Sequence, residues 1–308
     1  MNTPRMIHNT LHDAINFTMP QGACDCHTHV FGAAAQYPFS AKRVYTPAEA
    51  SVKSLLALQQ HLHLDRVVVV QPSPYGADNA CTINALLVMG DRARGVAVID
   101  EGTTDVQLQA MHNAGVRGIR LNLETGGIND PVFAASQLQW ASARVAPLGW
   151  HLQLYTNLSV LAALQEVIRS LPIPVVVDHF AGAQAVLGSS QLHFEVLSQL
   201  VREGKVWVKL SAPHRISNVP DSQDAGEMVR ALLNANADRM LWGSDWPHPG
   251  PKPGVPRTPH HVEEFNSIND GRALNRLAEW VHDEVLLRKV LVDNPAKLYD
   301  FDQSARLA

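Results

Sequence analysis

Short, dense apolar runs recur along this chain, and stretches of helical periodicity separate most of them. Arg66-Val-Val-Val-Val-Gln71 and Gly95-Val-Ala-Val-Ile-Asp100 are β-branched runs of the kind that form strands buried on both faces. Ala23–Val30, Val116–Leu123, Trp150–Tyr155, Pro174–His179, Val206–Ser211 and Arg239–Asp245 complete a set of eight strand candidates. Thr46–His61 carries Pro47 and Glu49 in a helical first turn, and Asp105–Ala114 runs up to a stop at Gly115. Leu158–Ser170 ends before Pro172, Leu192–Glu203 ends at Gly204, and Ala225–Ala235 precedes the last strand. Arg272–Val292 reads as a long closing helix stopped by Asn294-Pro295. Strand and helix in this alternation predict an α/β fold, a (β/α)8 TIM barrel, as a single domain over residues 21–308. Residues 1–20 are polar and irregular, and are expected to form an arm on its surface. An open doubly wound sheet is the runner-up, but the first strand is not followed by a glycine-rich turn.

Composition narrows the partners. With 25 basic and 29 acidic residues the net charge is -4, so no basic excess points to nucleic acid or to an anionic membrane. No apolar run approaches membrane-spanning length, and Met1–Pro20 holds no apolar leader segment. Three cysteines cannot all pair, and Cys24 and Cys26 sit too close in sequence for an easy disulfide. A reduced, cytoplasmic chain is the simplest expectation.

The chemistry gathers at the carboxyl ends of the strands, where such barrels carry their reactive groups. On an extended Cys24-Asp-Cys-His-Thr-His29, alternation puts Asp25, His27 and His29 on one face. Cys24 and Cys26 fall on the other face, packed against helices. Two imidazoles two residues apart suit a divalent metal or a substrate oxygen that must be polarised. Later strands add Arg120 with Asn122, then Tyr155, His179, Lys209 with Ser211, and Asp245 followed by His248. Loops contribute Ser73 and Arg215. Asp178 precedes His179 and is expected to point away, as a structural residue, while Lys209 is expected to stabilise a buried carboxylate. His61-Leu-His63 has the same spacing as the first pair but sits at a helix end, where residues two apart do not face each other. An aspartate in such a ring takes a proton from water, imidazoles polarise a carbonyl and hold the oxyanion, and arginines clamp a carboxylate. The expected ligand is a small acid with an ester or amide bond.

His27-Thr-His29, a histidine on strand six and an aspartate on the last strand resemble the amidohydrolase superfamily. Gly22–Gly32, Gly76-Ala-Asp-Asn79, Val116–Arg120, Val175–His179, Trp242–Pro249 and Leu291–Pro295 together resemble the 2-pyrone-4,6-dicarboxylate lactonase family. The resemblance runs from about residue 21 to residue 300. It implies a lactone hydrolase in which Asp245 activates water and His27, His29 and His179 surround the scissile carbonyl without an obligatory metal. It further implies that Arg120 and Arg215 hold substrate carboxylates and that Tyr155 and His248 line the pocket.

Two departures matter. The family carries an arginine in the loop after strand four and another after strand six, where this chain reads Glu124-Thr-Gly-Gly127 and Phe180-Ala-Gly-Ala183. A substrate less acidic than a planar dicarboxylate is therefore expected. No cofactor is required on this reading, although a single zinc or manganese held by His27, His29 and Asp245 stays open. The alternatives are a metal-dependent decarboxylase of the same superfamily, a sugar-acid lactone isomerase, and a barrel that only binds a sugar acid.

Overall fold

A computed structural model describes residues 12–301 apart from 126, 128, 129 and 253. Eight parallel strands run in chain order: β1 (Cys24–Thr28), β2 (Arg66–Val70), β3 (Ala93–Ala97), β4 (Val116–Asn122), β5 (His151–Tyr155), β6 (Val175–Val177), β7 (Val206–Ser211) and β8 (Met240–Gly243). The first and last strands meet through Asp245 N–H donating to His27 O and His29 N–H donating to Trp246 O, both at 2.8 Å. The result is the eight-stranded α/β barrel that the alternating pattern predicts.

Residues alternate between two apolar layers. Val67, Val69, Val175, Val177, Val208, Leu210, Met240 and Trp242 pack outward into the layer shared with the helices. Val68, Val70, Val96, Val176, Trp207 and Leu241 face inward, and Tyr299 and Phe301 from the chain's end join them. Both sides of each strand are thus dry, which explains why the strands read as unbroken apolar runs rather than alternating ones.

Cys24 and Cys26 belong to the inner layer, contrary to the expected alternation. The cause is a register shift in β1: Asp25 pairs with Val67 and Thr28 with Val69, so two residues of β1 oppose one of β2. The bulge at Cys26-His27 turns both side chains inward and resets the phase. Asp25 faces outward, where its Oδ1 accepts from the backbone N–H groups of His27 and Ser244 at 3.1 and 2.9 Å. Gly243 makes the bulge possible. A Cβ there would lie 2.6 Å from the Cβ of His27 and 2.7 Å from its backbone nitrogen.

Helices at Ala80–Met89 and Pro131–Val145 join those that the sequence pattern singles out, and two of the expected helices differ from it. Thr46–Pro47 is not helical but pairs with Val262–Glu263, and Ala48 N–H donates to Glu263 O at 3.1 Å. The backbone there is engaged across the barrel mouth, so helix α1 starts only at Val52, capped by Ser51. The long closing helix is broken after Val281 by His282 in the left-handed region (φ 53°). It resumes in short segments, and Pro295 opens the final helical turn at Asn294–Leu298 rather than ending one. Of the expected N-terminal arm, residues 1–11 lie outside the described residues. Asp13 N–H donates to the Asn269 side chain at 2.9 Å, so this stretch rests on the helix Asp270–Val281.

Candidate active site

Four groups from three parts of the barrel converge. Oδ1 of Asp245 lies 3.6 Å from Nε2 of His27, 3.6 Å from Nε2 of His29 and 3.7 Å from Nε2 of His179. Strand ends place them there. His27 is turned in by the bulge, and His29 follows in phase. Asp245 continues the inward series Leu241, Gly243. His179 and Asp245 leave their strands in the left-handed region, with φ of 48° and 69°. That conformation is strained for a non-glycine residue, and it aims both side chains at one point.

The same left-handed turn explains the position of Asp178. Val176 faces inward, so Asp178, two residues on, faces inward as well, and the turn at the next residue brings His179 in beside it. Asp178 does not point away. Its Oδ1 lies 3.2 Å from His27 Nδ1 and 3.6 Å from Lys209 Nζ, and its Oδ2 accepts from Arg120 Nε at 3.2 Å and Gln153 Nε2 at 3.1 Å. Lys209 Nζ, fully buried, also donates to Gln153 Oε1 at 2.7 Å and sits 3.3 Å from His27 Nδ1. Burial would raise the Asp178 carboxyl, but His27, Lys209 and Arg120 hold it well below the usual range. It is a buried anion held by Arg120, Gln153 and Lys209 behind His27.

The outer nitrogen of each imidazole is held. His29 Nδ1 donates to Val70 O at 2.8 Å, and His179 Nδ1 lies 2.8 Å from Ser211 Oγ. Burial, with Lys209 beside it, keeps His27 well below the ordinary imidazole value, and burial lowers His179 to about 4. Both rings are therefore neutral near pH 7. Asp245 is ionised: burial would raise it, but Arg215 and the surrounding imidazoles hold it well below the usual carboxylate range.

Arg215 reaches the aspartate rather than open solvent. Its Nε and Nη2 donate to Asp245 Oδ2 at 2.8 and 2.6 Å, and Nη2 also donates to Pro249 O. One carboxylate oxygen is thereby anchored and the other is left facing the imidazoles. A cavity of about 330 Å³ opens above this group, and its walls include Ser73, Arg120, Asn122, Tyr155 and Arg215 as well as His29, His179 and Asp245. His248 stands behind the wall, with Nε2 3.1 Å from the buried Asp270. Burial alone would lower its affinity for a proton; the Asp270 carboxylate raises it. Tyr45, Thr125 and Arg257 also line the cavity, from loops whose approach to the mouth no spacing rule encodes, and Glu124, read in the sequence as the place of a missing arginine, joins them.

Whether these residues fit a divalent ion turns on which atoms face one another. His27 Nε2 and Asp245 Oδ1 are buried without hydrogen-bond partners, and His29, with its proton on Nδ1, also presents a lone pair. His27, His179 and Asp245 each offer a ligand atom within 4.8 Å of the others. Acceptors pointed at one another call for a cation or shared protons between them, so the set fits a zinc-sized ion. The same rings also work without one. Lys209 and Ser211 can donate to Nδ1 of His27 and His179, which moves the proton of each ring to Nε2.

A sequence model described as amidohydrolase matches residues 24–301. Over 293 residues the chain is 36% identical to a 2-pyrone-4,6-dicarboxylate hydrolase of Comamonas testosteroni, with 92% of each chain covered. It is 34% identical over 291 residues to a 4-sulfomuconolactone hydrolase of Rhizobium radiobacter, again with 92% of each covered. Among solved structures, a probable 2-pyrone-4,6-dicarboxylic acid hydrolase of Acinetobacter baumannii with citric acid bound superposes with a TM-score of 0.77. The two are 26% identical, and the match covers 91% of this chain and 100% of that one.

Proposed function

This chain belongs to the amidohydrolase family, and from that premise we propose that it hydrolyses the lactone ring of a small carboxylic acid. The observation that carries the reading is one ionised carboxylate oxygen ringed by three imidazole nitrogens at 3.6–3.7 Å, on the floor of a cavity sized for a single small ring. A water held near Asp245 Oδ1 attacks the lactone carbonyl, and Asp245 takes its proton. His27 and His179, donating from Nε2, stabilise the oxyanion of the tetrahedral adduct. The ring C–O bond then breaks, and Asp245 returns the proton to the departing ring oxygen, leaving a hydroxy acid. Arg215 holds Oδ2 so that Oδ1 keeps its aim. Arg120 donates to Asp178 through Nε, and among the described residues nothing claims its terminal amino groups, which can meet a substrate carboxylate. Tyr155, Ser73 and Asn122 shape the walls around the ring, and His248 backs them.

His27, His179 and Asp245 would hold a divalent ion if one binds, and it would polarise the lactone carbonyl there. None of the steps above requires it. No helix among the described residues is long and apolar enough to cross a membrane. The three buried, free thiols support placing the protein in the reducing cytoplasm. A panel of lactones, followed by acid release with the wild type and Asp245→Asn, tests the function. Turnover that depends on Asp245 is expected, and a panel with no substrate overturns the proposal.

A further inference from the structure

The cations of this pocket are already matched by carboxylates of the chain itself. Arg120 lies against Asp178 at 3.2 Å, and Arg215 against Asp245 at 2.6 Å. Arg257 donates to Glu263 through Nε and Nη2 at 2.7 and 2.5 Å, with its guanidinium 3.6 Å above the ring of Tyr45. Lys209 lies beneath, near Asp178. Glu124 stands at the mouth, and its Oε2 accepts from the neutral Asn157 amide at 3.2 Å. Four cations thus face four carboxylates, Asp178, Asp245, Glu263 and Glu124, before any ligand arrives.

From this balance we infer that the substrate is a lactone carrying one carboxylate and several hydroxyl groups, and that Glu124 sets this limit. The inference rests on the lactonase reading and deepens it. Of the three guanidiniums, only Arg120 has its terminal amino groups unclaimed by the described residues, which suits a single bidentate carboxylate. A second carboxylate would meet only guanidiniums already paired with Asp245 and Glu263, beside Glu124. Hydroxyl groups meet the opposite situation. Glu124 accepts from them, and Ser73, Asn122 and Thr125 on the same wall can donate or accept. The chemical class is the monolactone of an aldaric acid.

The test compares kcat/KM of the wild type, Glu124→Gln and Glu124→Arg on three probes. These are 2-pyrone-4,6-dicarboxylate, an aldaric acid monolactone, and an aldonolactone with no carboxylate. The wild type is expected to prefer the aldaric monolactone. Both variants should lose at least about tenfold on it, about 1.4 kcal/mol, and gain on the dicarboxylate, with arginine gaining more than glutamine. Preference of the wild type for the dicarboxylate, or variants whose substrate ratio does not move, overturns the inference while Asp245-dependent turnover leaves the lactonase reading standing. If no probe is hydrolysed by any form, the lactonase reading falls and takes this inference with it.

Discussion

Asp245→Asn separates chemistry from architecture at this site. Asp245 Oδ2 accepts two hydrogen bonds from Arg215, and the side-chain oxygen of asparagine can accept both. The new amide nitrogen would then face the Nε2 lone pair of His29, which can accept from it. The shape of the site survives. What is lost is the charge assistance of the Arg215 pair, about 1 kcal/mol, or a Tm lower by roughly 1–2 °C. Catalysis loses far more, because an amide cannot take the proton of the attacking water. A positioned general base contributes about 10²- to 10⁴-fold, so kcat/KM should fall by that factor, about 3–5 kcal/mol of barrier. Lactone hydrolysis followed by a pH indicator measures the loss, with KM read separately. Residual hydrolysis should rise steadily with pH, since hydroxide is then the remaining nucleophile. Turnover within about tenfold of wild type would refute Asp245 as the base, and so would a residual rate that levels off at neutral pH.

Other perturbations read the electrostatics around it. Arg215→Gln removes the cation that holds the Asp245 carboxyl down, so the acid limb of the kcat/KM profile should move to higher pH; an unmoved limb would detach Arg215 from the base. Dialysis against a chelator should leave hydrolysis intact, because His27 and His179 can donate from Nε2 unaided; loss restored by zinc, with matching metal content, would transfer carbonyl polarisation to an ion. Buried Asp25 has its carboxyl pushed up to about 7, chiefly by burial. The native state therefore keeps a proton that the unfolded chain releases, and stability present below pH 4 is lost as pH rises through 7, by about 4 kcal/mol. Asp25→Asn should flatten that slope in urea titrations across pH 4–8, and parallel wild-type and variant curves would contradict it.

The barrel was legible because its strands are buried on both faces and its helices lie between them. Val67–Val70 and Val175–Val177 need no context to read as interior strands. His27, His29, His179 and Asp245 were legible as a set because reactive groups in such a fold gather at strand ends. Asp178 was misplaced for a local reason: alternation assumes that the strand continues, and here the chain turns left-handed at His179. Cys24, Cys26 and Asp25 were misassigned because a bulge shifts the phase of β1 by one residue, and the glycine that leaves room for it, Gly243, lies more than two hundred residues away.

By itself, the order of apolar and polar residues determined the eight-fold repeat and which strand ends carry chemistry, because burial on a pleated or helical surface has a fixed period. Only the tertiary structure decided the pairing of charges: Arg215 with Asp245, Arg120 with Asp178, Arg257 with Glu263. Coulomb attraction depends on distance in space and on the loss of water around both partners, and neither is written in sequence separation. For that reason the residues that could act were visible in the chain, while which cations remain free for a substrate was not.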